Sequence, residues 1–165
     1  MRVGIPTTWE VMVVEGRQKR MDLVLHFATG RMWIDVSIVN PQAPAYVKTD
    51  ATSAREKEKR TKWGEEARER NVGFKAFVLD TFGKVGGEAL EVLKTIAHHA
   101  YINSPNPIMQ SPQRWEGEYR RELVVKLCCA LAHANHCIIE ESGLKCFKPY
   151  TSTAAMYRGL LRKRW

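Results

Sequence analysis

Arg20–Asn40, RMDLVLHFATGRMWIDVSIVN, is the stretch on which the reading of the fold turns. MDLVLHF and MWIDVSIV are rich in β-branched and aromatic residues. Ala28-Thr29-Gly30 between them is a turn signal, so the stretch predicts a β-hairpin. Side chains alternate along a strand. Asp22, Val24 and His26 therefore share one face of the first strand, and Trp33, Asp35 and Ser37 share one face of the second. With Ala28-Thr29 as the loop, Asp22 stands opposite Asp35. With Thr29-Gly30 it faces Ser37, and the two carboxylates stay diagonal neighbours. A slip of one residue would part them to opposite faces. The expected register is one of the two that keep them together.

Like charges placed opposite each other on a sheet repel. Asp35 is the odder of the two, because Ile34, Val36, Ile38 and Val39 make its strand read as buried. A carboxylate there is costly unless paired, hydrogen-bonded or bound to a metal. One reading has each aspartate capping a turn or pairing with a nearby arginine. The sharper reading is a divalent-metal site in which hard oxygen ligands hold magnesium or manganese.

The 165 residues suffice for one domain with a core of its own. Hydrophobic residues make up 44% and charged ones 27%, the composition of an ordinary globular protein. The formal charge of +8 points to an anionic partner. Nucleic acid comes first, since phosphate neutralisation by Lys and Arg dominates its binding. No apolar run approaches ~20 residues and no signal peptide is visible, so neither membrane insertion nor secretion is expected. The four cysteines, Cys128, Cys129, Cys137 and Cys146, form no CxxC pair. Cys129, His133 and Cys137 recur every four residues beside His136, as a metal stripe along a helix would. Zinc sites usually draw ligands from more than one element, so buried free thiols are expected there and structural zinc is not.

Taken in order, Thr7–Val14 reads as a first strand. Gly16 supports a turn, so the first three strands are expected to form an antiparallel meander. Arg17, Lys19 and Arg20 form a basic run that is either a solvated loop or a phosphate-backbone contact. Two prolines, Pro41 and Pro44, end the third strand. Ser53-Ala54-Arg55-Glu56 has the pattern of a capping box, opening a helix to about Arg70. That helix is very polar. Arg55, Lys59, Trp63 and Ala67 form one row along it, so if Trp63 faces the sheet, Lys59 leans the same way. Its other charges suit an exposed face with pairs such as Glu58–Lys62. Val72–Leu79 is a fourth strand. Gly83, Gly86 and Gly87 lead into a helix from about Glu88 to Tyr101 whose core face is expected to be Leu90, Leu93, Ile96 and Ala97. The glycines are not a phosphate loop, since no GK[ST] follows. His98 and His99 are read as polar residues near its C-terminus. A proline-rich loop precedes the longest helix, about Arg114–Glu141, with Gly143 as its C-cap. The tail is basic and aromatic, ending Arg162-Lys163-Arg164-Trp165.

This order of elements resembles the PD-(D/E)XK nuclease superfamily. The likeness is to the restriction-like endonuclease domain of site-specific non-LTR retrotransposon proteins and related domains trailing reverse transcriptases. The words that carry it are MDLVLHF, WIDVSIVNP, AREKEKRTKW and RRELVVKLCCALAHANHCII, and it spans about Glu15 to Ser142. Met21 stands where the family tends to have proline. Ser37 stands where the plain pattern places its lysine, which in the retrotransposon-type branch is supplied from the following helix, matching Lys59 or Lys62. The acid that some members carry on a helix before the first strand has no room in these residues, and is either absent or lies outside them.

The resemblance implies an α/β fold: a mixed β-sheet of about four strands flanked by helices, restriction-endonuclease-like, with a C-terminal helical segment. Residues 1–144 would be the nuclease-like domain and 145–165 a basic tail. It implies a magnesium- or manganese-dependent DNA endonuclease, with Asp22 and Asp35 and the Val36 carbonyl as metal ligands. Lys59 or Lys62 would complete the catalytic set, and Arg17, Lys19, Arg20 and Arg55 would contact nucleic acid. The biological role implied is nicking of target DNA as part of a larger reverse-transcriptase polyprotein, in the nucleus of a eukaryotic host or otherwise inside the cell. The alternatives are a non-catalytic nucleic-acid-binding module of the same fold and a structure-specific junction resolvase.

Overall fold

A computed structural model describes residues 5–14, 19–104 and 111–141. The fold is α/β, a four-stranded mixed sheet packed with three helices. The strands are β1 (Thr7–Val14), β2 (Lys19–Phe27), β3 (Gly30–Val39) and β4 (Gly73–Asp80), in the spatial order β1-β2-β3-β4. The first three form the antiparallel meander expected from their turn signals, and β4 joins β3 in parallel through a helical crossover. Phe27 pairs with Gly30, so the hairpin loop is Ala28-Thr29, and Gly30 carries a φ of 145° that suits glycine.

Helix α1 (Ala51–Glu69) begins earlier than the capping-box pattern implies. Asp50 is its N-cap, accepting a hydrogen bond from the Ser53 amide at 3.0 Å. Glu56 is thereby released to act elsewhere. The helix stops where Asn71 takes a φ of 52°, a left-handed conformation asparagine tolerates. Its sheet-facing row buries Trp63 and Ala67 with Met21, Val24 and Trp33. Nearer its start, Ala51 packs on Val39, Ala76 and Val78.

Helix α2 (Gly87–Ile102) packs against the sheet with Leu25, Ile34 and Val92 as its buried contact, Ile96 and Phe77 partly covered beside them. Its buried face is Ala89, Val92, Leu93 and Ala97, whereas Leu90, expected in the core, is 41% exposed. The face is rotated because the N-terminus of α2 is tied to β4: the Gly86 amide donates to Val78 O at 2.8 Å. Helix α3 (Pro112–Glu141) is the longest. The chain divides into two compact units, residues 1–131 and 132–165. In the first, Leu131 is buried and His98 meets Glu116 at 2.7 Å. In the second, the described residues are the last turns of α3, where His133 Nε2 and Cys137 Sγ are 3.8 Å apart. Glu15, Gly16, Arg17, Gly143 and the basic tail lie outside the described residues. Among the described residues no helix is long and apolar enough to cross a membrane.

Candidate functional site

The face of β3 that carries Trp33, Asp35 and Ser37 meets α1 row against row. Alternate strand residues recur about every 6.6 Å, and helix residues four apart about every 6 Å. Two such rows stay in step over several contacts. Arg55 Nε donates to Ser37 Oγ at 3.0 Å, Lys59 Nζ sits 2.5 Å from Asp35 Oδ2, and Trp63 Nε1 donates to Asp35 Oδ1 at 2.8 Å. As numbering rises along α1 it falls along β3, so helix and strand run antiparallel.

Asp35 is 5% exposed on an interior strand, and each oxygen has a different kind of neighbour. Oδ1 holds the indole N–H. Oδ2 is buried without a directed hydrogen bond, and the Lys59 ammonium faces it by distance alone. The contact is therefore an ion pair, attractive through proximity in a desolvated setting rather than through a well-aligned N–H. The neighbour of Asp35 on β4 is Ala76, whose small side chain leaves the space beside the carboxylate to Lys59 and Trp63.

Asp22 joins the site differently. The β2–β3 pairing runs from Phe27↔Gly30 to Leu23↔Ile34, and one further step would put Asp22 opposite Asp35. Met21 and Val24, three apart, nevertheless belong to one core cluster, while Leu23 packs in the cluster with α2. Alternation slips at this point, and Asp22 sits at the slip. Its Oδ2 accepts from the Val36 amide at 2.7 Å, the N–H that follows Asp35 in the chain. A carboxylate stands in for a strand partner there, and one peptide group links the two acids.

Glu10 lies in β1 between the residues paired with Met21 and Leu23, the position across from Asp22. It takes a φ of 48°, rare for a non-glycine residue in a strand, and its carboxylate lies 4.0 Å from Arg20. The sequence marks Glu10 only as a polar residue in alternation. Its backbone becomes visible only with the pairing. Helical spacing likewise places Trp63 toward the sheet without showing what its N–H meets, although a buried Trp N–H usually finds an acceptor.

The other residues singled out in the sequence are distributed as follows. Lys62 is exposed, with Nζ 4.7 Å from the centre of the Trp63 ring, and Glu58 pairs with Arg55 rather than with Lys62. Arg55 is thus held between Ser37 and Glu58. Arg20 is largely exposed beside Glu10. Lys19 is the first residue of β2, and Arg17 is outside the described residues. Among the described residues, no group of three or more His, Cys, Asp or Glu is gathered closely enough to hold a metal ion. The oxygen donors near Asp35 are two carboxylates and the Val36 backbone, a hard set of the kind magnesium and manganese take.

No protein-family model, curated protein or solved structure matches this chain.

A second cluster of acids supports the first from behind. Glu56, which the sequence suggests as half of a capping box, instead caps α2. Its Oε1 accepts from the Glu88 amide at 2.8 Å. Gly86 is required there, because a Cβ would collide with that same carboxylate oxygen. Glu88 Oε2 accepts from the Ala76 amide at 2.7 Å, covering a donor on the outer edge of β4, and its other oxygen pairs with Arg60. Burial pushes the Glu56 carboxyl above the ordinary range, against the pull of Arg60. These contacts fix α1 and β4 relative to each other, and with them Lys59 beside Asp35.

Proposed function

We propose that the chain is a metal-dependent DNA endonuclease that hydrolyses phosphodiester bonds. The observation that carries this reading is the buried Asp35–Lys59 pair on an interior strand, flanked by Asp22 on the next peptide group. A carboxylate so placed is costly for folding alone, and its burial beside a lysine and a second acid suits a charged substrate and a cation. Asp22, Asp35 and the Val36 carbonyl are the groups that would hold Mg²⁺ or Mn²⁺. The ion when bound lowers the pKa of a water and offsets charge on the phosphate.

The protein's own groups do the rest. Trp63 fixes the Asp35 carboxylate by holding Oδ1, and Oδ2 faces Lys59. The Val36 amide fixes Asp22. Lys59 supplies a positive charge where negative charge builds on the phosphate in the transition state, the kind of stabilisation worth most in a desolvated site. Lys62, exposed and set over Trp63, is the reserve. The likeness to retrotransposon endonucleases points to nicking of target DNA for integration. Part of a reverse-transcriptase polyprotein, working where that polyprotein meets chromosomal DNA, is the setting that follows from it.

Nicking of supercoiled plasmid with Mg²⁺ or Mn²⁺, abolished by chelation and by Asp35→Ala, is the expected result. Absence of nicking with either metal, from folded protein, would sink the enzyme reading. The same ion pair favours one second reading, since Lys59 already neutralises Asp35: a nucleic-acid-binding module without catalysis, whose DNA binding survives Asp22→Ala. Cleavage confined to branched substrates would instead assign a junction resolvase.

A further inference from the structure

The sheet face that bears Asp35 continues toward the hairpin as a groove. Its volume is about 490 Å³, room for a backbone segment rather than a lone ion. Trp33 and Val24 form its floor, His26 and Arg31 its hairpin end, and Arg70, just past α1, its other side. His26 Nε2 and Thr8 Oγ1 are 2.8 Å apart, which ties β1 to β2 along the wall. Among the described residues no carboxylate lines the groove. Arg31 and Arg70 are exposed, and among the described residues neither guanidinium is paired with an acid. This sets them apart from Arg55, Arg60 and Arg114, which are all paired.

Arg31 and Asp35 are four residues apart on one strand and on one face, roughly 13 Å along it at ~3.3 Å per residue. We propose that this groove holds the sugar–phosphate backbone of a nucleic-acid strand through Arg31 and Arg70, at the hairpin end of the sheet face that bears Asp35. The proposal rests on the nucleic-acid reading above and extends it from the acid pair to a second anchor. Unpaired guanidiniums are suited to phosphate oxygens, which they can grip with two parallel hydrogen bonds. The apolar floor accommodates sugar. Contacts of this kind position a strand without reading its sequence.

The test is fluorescence anisotropy with fluorescein-labelled single-stranded and duplex 20-mers between 50 and 200 mM NaCl. Arg31→Ala/Arg70→Ala should weaken binding at least tenfold at the low-salt end. It should also reduce the slope of log affinity against log salt by about 2 for duplex, given ~0.9 per phosphate contact. Arg31→Lys/Arg70→Lys should restore most of that slope, and Arg114→Ala/Arg120→Ala on α3 should keep the parental value. Parental affinity and slope in the double alanine variant would overturn the groove, and if the parent nicks plasmid the enzyme reading survives that result. Loss of binding in the double variant of a parent that never nicks supports the groove while removing the enzyme reading. A parent that binds neither oligonucleotide overturns both. Displacement of the DNA by polyglutamate as readily as by unlabelled DNA would overturn the assignment to phosphate.

Discussion

Lys59 Nζ lies 2.5 Å from Asp35 Oδ2, with the two side chains 12% and 8% exposed. Removing one partner of a pair so well buried leaves an uncompensated charge. Lys59→Met should therefore destabilise the fold by about 3–5 kcal/mol. Lys59→Met with Asp35→Asn should recover part of that loss, because the charge left behind is gone. Urea denaturation of both variants measures it. A single variant within about 0.5 kcal/mol of the parent, the spread of ordinary surface changes, would mean that the pair is solvated in solution.

Trp63→Phe keeps most of the buried ring and removes only the donor to Asp35 Oδ1. Hydrogen bonds to charged groups contribute about 1.5–3 kcal/mol, and the variant should lose stability in that range. It should lose activity too, since the carboxylate is then free to turn. Unchanged stability would show that Asp35 Oδ1 finds another donor of equal quality once the indole N–H is gone.

How much of this was legible in the sequence follows from what fixes each feature. The hairpin was legible because its period-two pattern and turn residues are local, and so was the sheet-facing row Arg55–Lys59–Trp63–Ala67, set by helical spacing alone. The slip at Asp22 was not, because it depends on where Met21 finds a core partner on α1. Glu56 shows the same limit. Its local pattern with Ser53 is a capping box, but Asp50 caps α1, and the unsatisfied amides of α2 are a better use of the carboxylate. Arg31 and Arg70 are far apart in sequence, and only the crossover from β3 through α1 brings them to one groove.

Glu56 gives a pH signature whose sign can be stated. Burial raises its folded-state pKa, so its contribution to stability is greatest below the ordinary glutamate value near ~4.3 and falls as pH rises through the raised value. Glu56→Gln keeps an oxygen for the Glu88 amide and cannot ionise. Its stability relative to the parent should therefore improve from pH 4 to pH 7. Asp50 runs the opposite way. The Lys84 ammonium, then Thr52 and Ser53, hold its carboxyl well below the usual range, so its contribution is present above ~3.9 and lost in stronger acid. In denaturation curves from pH 4 to pH 7 Glu56→Gln should gain on the parent, and below pH ~4 Asp50→Asn should gain on it as the parent loses the Asp50 contribution in acid. Curves that stay parallel to the parent in both windows would refute both assignments.

Gly86→Ala is expected to be costly for a side chain of one methyl group. The new Cβ would collide with Glu56 and lie 3.1 Å from Val78 O. Loss of the α2 cap and of a buried acceptor's partner should together destabilise by about 2–3 kcal/mol. Gly87→Ala, where the nearest Glu56 oxygen is 3.8 Å away, should cost much less. Similar thermal stabilities for the two variants would show that α2 can shift away from Glu56.

A lysine that only neutralises Asp35 and one that also acts on substrate respond differently to added metal. In Lys59→Met the Asp35 carboxylate lacks its cation, and a divalent ion in solution can take that place. Millimolar Mg²⁺ or Mn²⁺ should therefore raise the melting temperature of Lys59→Met by more than that of the parent, by mass action on the folded state. Lys59→Met/Asp35→Asn should show no such gain. If Lys59 serves only to balance the charge, the metal-restored variant should nick plasmid at the parental rate. If its ammonium stabilises the transition state, nicking should stay roughly 10²-fold or more below parental while DNA affinity is almost unchanged. Lys62→Ala, which leaves the Asp35 pair intact, should nick near the parental rate. A metal-stabilised Lys59→Met at full activity, with Lys62→Ala impaired, would move the catalytic role to Lys62. No metal-dependent gain in any variant would show that Asp35 holds no cation other than Lys59, which favours the binding-module reading.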